Sequence, residues 1–431
     1  MEQSAPIMLV DFCGVRDKYD LLAELASEIA PRPLVVVDGL RNRTNELTPI
    51  RGGEFTHIAA PSQIFRSSAW SKLTNPFRRY LLPQDDDLVC LASQLTAMRQ
   101  ERDSGARHED AIESLKSTSE FTDSCLRKYR PDLIIIWNQF HPLSRAAQVA
   151  ARRREVRVAF MEYGLLPGTL NFDLHGQMGE SDIVQKASEF QALQLDFDDV
   201  HKANSVLAAL RWQQTNRRTQ TPLGTAGRRL IEKANGRPIV LFAGHNDHAS
   251  GTTPYDDRAR RFHSPVFESS RQAADYLATI ARENEWFLVY KPHPFAVRAQ
   301  RFNEGDHVTL LADYDINSCI DLADCVVTTV SQASYVALLR RKPLVMIGYN
   351  QLRGSGCHYQ VESRQEVRSV LKSAIANGFT TGQQTAWSIH VARLLKYYLY
   401  SFAGHAPRLE AARSPTQLAK TIHDALLTAP A

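Results

Sequence analysis

The stretch Trp286–Pro294, WFLVYKPHP, constrains the fold of this chain more than any other. Trp286 to Tyr290 is an unbroken apolar run rich in β-formers, which predicts a short, fully buried strand. Lys291-Pro292-His293-Pro294 ends it abruptly. Proline has no ladder N–H, fixes its own φ and restricts the residue before it, so this loop is stiff. It holds a cation and an imidazole at the carboxyl end of a strand, the edge where open α/β sheets bind ligands. By itself KPHP could equally be a rigid turn.

Ile320–Gly348 repeats the theme. Asp324 to Val327 predicts another buried strand, Tyr335 to Arg341 a helix, and Leu344 to Ile347 a further strand. Thr328, Thr329, Ser331, Gln332 and Ser334 crowd the turn in between. Hydroxyls and unbonded backbone N–H groups at a strand-to-helix turn suit an anion. The combined pattern suits a nucleotide phosphate held between two βα turns; ordinary Ser/Thr caps in a Rossmann-like unit would look the same.

KPHP followed by TTVSQASYVALLRRKPLVMIG resembles the donor half of bacterial capsule and O-antigen polysaccharide glycosyltransferases. Within these it is most similar to the β-Kdo transferases that use CMP-Kdo. The resemblance extends from Pro131 to Tyr359 and is weaker before that. It implies a GT-B fold: α/β, with two Rossmann-like domains facing an interdomain cleft. It implies transfer of Kdo from CMP-Kdo to a glycan acceptor, lipid-linked, in surface polysaccharide biosynthesis. Lys291 and His293 would steady the departing CMP phosphate, with Thr329, Ser331, Gln332 and Ser334 supplying hydrogen bonds. Basic side chains and helix N–H groups could carry that charge, so neither a metal nor a cofactor beyond the sugar donor is expected.

Length and composition agree with this. A chain of 431 residues suggests two domains. With 43% hydrophobic and 23% charged residues it is ordinary for a globular protein and unlike a disordered one. The net charge of +4 is small, but Arg152-Arg153-Arg154 and Arg340-Arg341-Lys342 are local positive clusters. They suit anionic sugars, nucleotides or an anionic membrane surface, and no nucleic acid partner is expected. The six cysteines form no CxxC pair, so neither zinc nor a disulfide framework is indicated, and a reducing compartment is expected. Met1–Pro6 lacks the features of a signal peptide, and no window is apolar for the ~20 residues of a membrane span. The expected location is the cytoplasm, with room for peripheral contact at the inner membrane. The chain could also be one module of a larger enzyme.

In chain order, Ile7–Cys13 and Leu34–Val37 predict strands around a helix at Tyr19–Ile29, a Rossmann-like opening. Gly14 stands alone, so there is no dinucleotide fingerprint. Arg41–Asp87 is irregular, and Arg66, Lys72, Arg78 and Arg79 beside Trp70, Phe77 and Tyr80 suit an acceptor sugar or simply a packed loop. Asp85-Asp86-Asp87 precedes a helix and reads as charge on a helix N-terminus rather than a metal motif. Helices are expected at Ala111–Tyr129 and Leu143–Arg153, with a buried strand at Asp132–Trp137 between them. Asn138 and His141, at that strand's end, are acceptor-side candidates or a turn and helix cap.

After a strand at Val156–Phe160 comes a loop, Met161–Thr169, shaped by glycines around Glu162, Tyr163 and Gly164. A carboxyl so placed can deprotonate or position an acceptor hydroxyl. The family resemblance strengthens that role for Glu162; a structural acid paired with arginine is the other reading. Asp182–Arg217 reads as helical, and Thr219–Gly227 as a linker. The strand Pro238–Ala243 ends in Gly244-His245-Asn246-Asp247-His248, a crowd of titratable groups. The resemblance implies a retaining enzyme with a carboxylate nucleophile and a covalent glycosyl-aspartate. Asp247 is the residue assigned, with Asp256 and Asp257 as fallback.

Helices are expected at Ser269–Glu283, Ile316–Leu322, Glu366–Asn377 and Thr385–Phe402, the last with an aromatic stripe at Tyr397, Tyr398, Tyr400 and Phe402. The expected domains are 1–225 for the acceptor, 226–405 for the nucleotide sugar, and 406–431 as a helix packing back across both. Two other functions fit the same residues: a CMP-releasing transferase of sialyl or glycerol-phosphate type, and a non-catalytic polysaccharide-binding export protein.

Overall fold

The computed structural model describes residues 4–12, 18–39, 55–61, 64, 86–101, 103–211, 213, 220–296, 302–403 and 406–427. Cys13, Gly14, Arg66, Trp70, Lys72, Phe77, Arg78, Arg79, Tyr80 and Asp85 lie outside them. The elements run β1 (Ile7–Asp11), α1 (Tyr19–Glu28), β2 (Leu34–Asp38), β3 (Phe55–Ala59), α2 (Asp86–Gln100), α3 (His108–Tyr129), β4 (Leu133–Trp137), α4 (Pro142–Arg153), β5 (Arg157–Tyr163) and β6 (Thr169–Asp173). A 3-10 turn at Met178–Glu180 leads to α5 (Asp182–Gln185), α6 (Ala187–Ala192), α7 (Phe197–Leu210) and α8 (Gly224–Ala234). Next come β7 (Ile239–Ala243), α9 (Asp257–Phe262), α10 (Ser270–Glu283), β8 (Phe287–Lys291), β9 (Val308–Leu310), α11 (Ile316–Leu322) and β10 (Cys325–Thr328). The chain ends with α12 (Ala333–Leu339), β11 (Leu344–Met346), β12 (Tyr359–Gln360), α13 (Val367–Asn377), α14 (Thr381–Arg393), β13 (Leu399–Ser401) and α15 (Pro415–Leu427).

The chain divides into two compact units, one of residues 1–164, 168–177 and 400–431, the other of 165–167 and 178–399. Both are Rossmann-like α/β units. The first has a seven-stranded sheet ordered β3-β2-β1-β4-β5-β6-β13. Its pairs from β3 to β5 are parallel, and β6 runs antiparallel to β5. The second has six strands ordered β9-β8-β7-β10-β11-β12, with every pair parallel. Counted from its first strand, the second sheet reads 3-2-1-4-5-6, and the first reads the same with β13 added beyond β6. The order therefore reverses between β1 and β4 in one unit and between β7 and β10 in the other. Those reversals open a crevice at the carboxyl ends of the strands, where ligands bind in this class of sheet.

Period-two alternation places the cores. In β1, Ile7 and Leu9 face Leu21, Leu22 and Leu25 of α1 and Leu418 and Ile422 of α15, while Met8 and Val10 face α2, α3 and α4. In the second unit, Val240 and Phe242 of β7 pack on Ala274, Leu277 and Ile280 of α10 and on Leu371 of α13. Strands buried on both faces read as continuous apolar runs, which is why they were legible in sequence.

Four expectations are corrected. The unit boundary does not fall at 225/226: residues 178–225 belong with the second unit, because α7 packs along α14. There Lys396 Nζ lies 2.5 Å from Asp199, and Tyr397 donates to the Gln194 carbonyl at 2.6 Å. The stretch from Asp182 expected to be helical is so as far as Leu210, in three helices, the last starting at an Asp196/Asp199 capping box. The Thr385–Phe402 helix ends at Arg393, passes through a π turn at Leu394–Tyr398, and becomes β13. Tyr398, Tyr400 and Phe402 are spaced by two, the strand period, and all three are buried. The chain from Tyr400 onward, including α15, folds onto the first unit alone. Finally, β3 lies inside the stretch expected to be irregular.

Candidate functional site

The β7 loop opens with His245, buried at 4% exposure, and Asp247, whose side chain keeps 21%. The Asp247 carboxylate sits at the start of α10. It accepts from the Ser270 N–H at 3.1 Å and from Ser270 Oγ at 2.9 Å, and lies 3.0 Å from His245 Nε2. Burial alone would raise its pKa, but the His245 charge and the hydrogen bonds from His245 and Ser270 outweigh this and hold it below the usual carboxylate value. Asp247 is thus ionised at neutral pH and fixed in direction. His245 Nδ1 lies 3.2 Å from Ser270 Oγ, and Nε2 lies 3.1 Å from Thr252 Oγ1. The Asn246 side chain accepts from the His248 N–H at 3.2 Å, a turn that closes the loop on itself. The fallback acids stand elsewhere in role: Asp256 caps α9 by accepting from the Ala259 N–H, and Asp257 is fully exposed.

The KPHP loop leaves β8 beside β7. His293 Nδ1 accepts from the Phe295 N–H at 3.2 Å, which puts the ring proton of the neutral imidazole on Nε2 and makes that atom a donor. Lys291 turns the other way. It is buried, and its ammonium donates to the Ala312 carbonyl at 3.2 Å. Burial lowers its pKa, offset in part by Cys319, Asp315 and Asp313. The ammonium therefore braces the loop after β9.

The hydroxyl-rich turn after β10 is mostly satisfied from within. Thr329 is buried, Ser331 Oγ accepts from the Ala333 N–H at 3.2 Å, and Ser334 Oγ donates to the Ser331 carbonyl at 2.8 Å. Asn350 Nδ2 in turn donates to Ser334 Oγ at 3.0 Å. Gln332 is exposed. The helix that follows spans only seven residues, so its dipole is a smaller contribution than the sequence suggests.

Sequence reasoning missed a second cluster under this edge. Glu180 takes Nε of Arg258 at 2.7 Å and a second guanidinium nitrogen on its other oxygen, and lies 3.1 Å from Nε2 of the fully buried His263. Burial pushes the Glu180 pKa up, but the His263 and Arg258 hydrogen bonds and the Arg258 charge more than reverse this, to about 2. Burial lowers the His263 pKa, only partly opposed by Glu180. The partners are 83 residues apart, and no local pattern marks them.

In the first unit, Asn138 adopts a left-handed φ of 57° at the end of β4, and His141 Nδ1 accepts from the Leu143 N–H at 3.3 Å, capping α4. Glu162 is not in a loop. β5 runs through it to Tyr163, turns at Gly164–Gly168 and returns as β6, so Glu162 pairs with Asn171. Gly164 is required there: a Cβ would lie 2.0 Å from Thr169 Oγ1. The ring of Tyr163 packs edge-on to Trp137, and the Lys18 ammonium lies over both rings while pairing with Asp11 at 2.9 Å.

Among the described residues no helix is long and apolar enough to cross a membrane. No curated protein sequence matches the chain. Among solved structures, the KpsC β-Kdo 2,7-transferase of Thermosulfurimonas dismutans is 17% identical over 71% of this chain and 89% of that one, with a TM-score of 0.41. The β-Kdo 2,4-transferase of the same organism is 14% identical over 60% and 79%, also at 0.41. The sucrose-phosphate synthase of Thermosynechococcus elongatus is 14% identical over 98% and 99%, at 0.42. Likenesses this distant carry no residue's role from one chain to another. Residues 252–375, from the β7 loop into α13, match the sequence model of the family described as capsule polysaccharide biosynthesis protein. The resemblance to capsule polysaccharide biosynthesis proteins is supported over the segment that carries KPHP and the hydroxyl-rich turn.

Proposed function

We propose that this protein transfers Kdo from CMP-Kdo to a glycan in surface polysaccharide synthesis, with retention of configuration. The observation that carries the reading is the family match over residues 252–375, which spans the KPHP loop at the carboxyl edge of the second sheet. The nucleotide phosphate would lie at that edge near the β7–β10 reversal, meeting the His293 Nε2–H and the exposed Gln332. Lys291 acts indirectly, by holding the loop after β9.

Asp247 is the assigned nucleophile. Its ionised, fixed carboxylate would attack the anomeric carbon as the bond to the CMP phosphate breaks. The acceptor hydroxyl would then displace Asp247, losing its proton to a general base as the sugar–aspartate bond breaks. No step requires a metal. Intact-mass spectrometry after incubation with CMP-Kdo tests the assignment: a sugar-sized addition is expected on the wild type, mapped to Asp247, and absent from Asp247→Asn. CMP release from CMP-Kdo but not from CMP-sialic acid or CDP-glycerol is also expected. Release from one of the latter two would reassign the donor, and no release from any would leave a binding protein.

A further inference from the structure

We infer that His263, held by Glu180, is a positioning residue that sets the spacing of the strand-end loops in the second unit; its link to nucleotide binding rests on the donor site proposed above. His263 follows α9 and is 0% exposed, so it acts through its neighbours. Its ring faces Gly251, in the same loop as Asp247. A Cβ on Gly251 would lie 2.5 Å from Nε2 and 2.8 Å from Cδ2 and Cε1, and the glycine has a φ of +78°. Only glycine fits there, so the β7 loop is seated on the face of the imidazole.

The main chain of His263 holds a second loop. Its carbonyl accepts from the Tyr349 N–H at 2.9 Å, after β11. A Cβ on the adjoining Gly348 would lie 2.5 Å from that carbonyl and 2.5 Å from Thr329 Cγ2. Through Gly348 the contact reaches the turn after β10, and through Asn350 it reaches Ser334. One buried residue therefore touches the loops after β7 and β11 and, at one remove, the turn after β10.

The ring is kept in place from below. Glu180 accepts from it and is itself clamped by Arg258, while Gly179 lies so close to the Phe262 carbonyl that a Cβ would meet it at 1.5 Å. The 3-10 turn at Met178–Glu180, the end of α9 and three catalytic-edge loops thus form one packed stack.

The test is a double-mutant cycle read by calorimetric titration with CMP. Gly251→Ala should weaken CMP binding by about tenfold to a hundredfold, as expected of a displacement near 1 Å, with the stoichiometry unchanged. His263→Ala should also weaken binding. The double variant should bind better than Gly251→Ala alone, because the methyl enters the space the ring has left. A purely structural His263 would instead lower the melting temperature and the stoichiometry, leave the affinity of the folded fraction intact, and give additive effects; that result overturns the inference. If His263→Ala does not fold, His263→Asn, which keeps a donor for Glu180, replaces it in the cycle. If the wild type binds no CMP, the donor reading fails, and the positioning role is read from hydrogen exchange instead. Residues 245–253 and 347–350 should then exchange faster together in the His263 variant, and unchanged protection there would sink the proposal.

Discussion

At the scale of single residues, the proposed function divides the side chains of the second unit into those that would face ligand and those that hold loops. Glu180 belongs to the second kind, and its pH signature follows from its depressed pKa. A carboxyl at about 2 in the folded state, against 4.5 as the ordinary value, stabilises the fold above pH 4.5 and loses that contribution as pH falls toward 2. The shift corresponds to about 3 kcal/mol. Burial of neutral His263 acts in the same direction: the unfolded chain takes up a proton below the ordinary histidine value of 6.5 that the folded chain resists. Denaturant unfolding of the wild type should therefore show stability falling from pH 7 to pH 3, and Glu180→Gln should be both less stable at pH 7 and flatter over the acid range. A variant as pH-dependent as the wild type would contradict this. His293 is proposed to belong to the first kind. His293→Ala should weaken CMP about tenfold, the worth of one charge-assisted hydrogen bond, with the melting temperature unchanged. An unaltered affinity in the same titration would remove His293 from the phosphate site.

At the scale of elements, the loops are placed by the helices that follow them. The start of α10 is the clearest case. Ser269 Oγ accepts from the Gln272 N–H as its cap, and the next residue, Ser270, offers its N–H and hydroxyl to Asp247. Ser269→Ala should cost about 1 kcal/mol in global unfolding. Because the cap sets where Ser270 points, the same change should lower the rate of sugar transfer more than the loss of stability explains. A rate that tracks only the folded fraction would separate the cap from the site. The buried strands β1, β2, β4, β7, β8, β10 and β11, the capped helices α10 and α11 and the apolar runs were legible because each is a local pattern. The α14-to-β13 switch was misread because its aromatic residues satisfy a helical and a strand reading at once, and only the partner strand β6 decides between them.

At the scale of the whole molecule, the chain crosses between units more than once. The final stretch returns to the first unit, where β13 lies beside β6 and α15 puts Leu418 and Ile422 into the core with Leu21 and Leu22. Arg157 ties the end of α15 by donating to the Ala425 carbonyl at 2.8 Å. Deleting residues 400–427 should therefore unfold the first unit and spare the second, seen as loss of amide protection in β1–β5 with β7–β11 still protected. Loss of protection confined to the second unit would refute this division.

The sequence alone determined the two Rossmann-like units, the strand-end positions of KPHP, Asp247 and the hydroxyl-rich turn, and the family resemblance. Each rests on residues that are neighbours in the chain, where period, proline and capping rules act directly. Tertiary structure alone decided that Lys291 faces inward, that Ser331 and Ser334 bond within their own turn, and that Glu162 stands in a strand. It also brought Glu180, Arg258 and His263 together beneath the loops. Those outcomes depend on which distant groups share a desolvated space, and burial, the term that dominates there, cannot be read from neighbours in sequence.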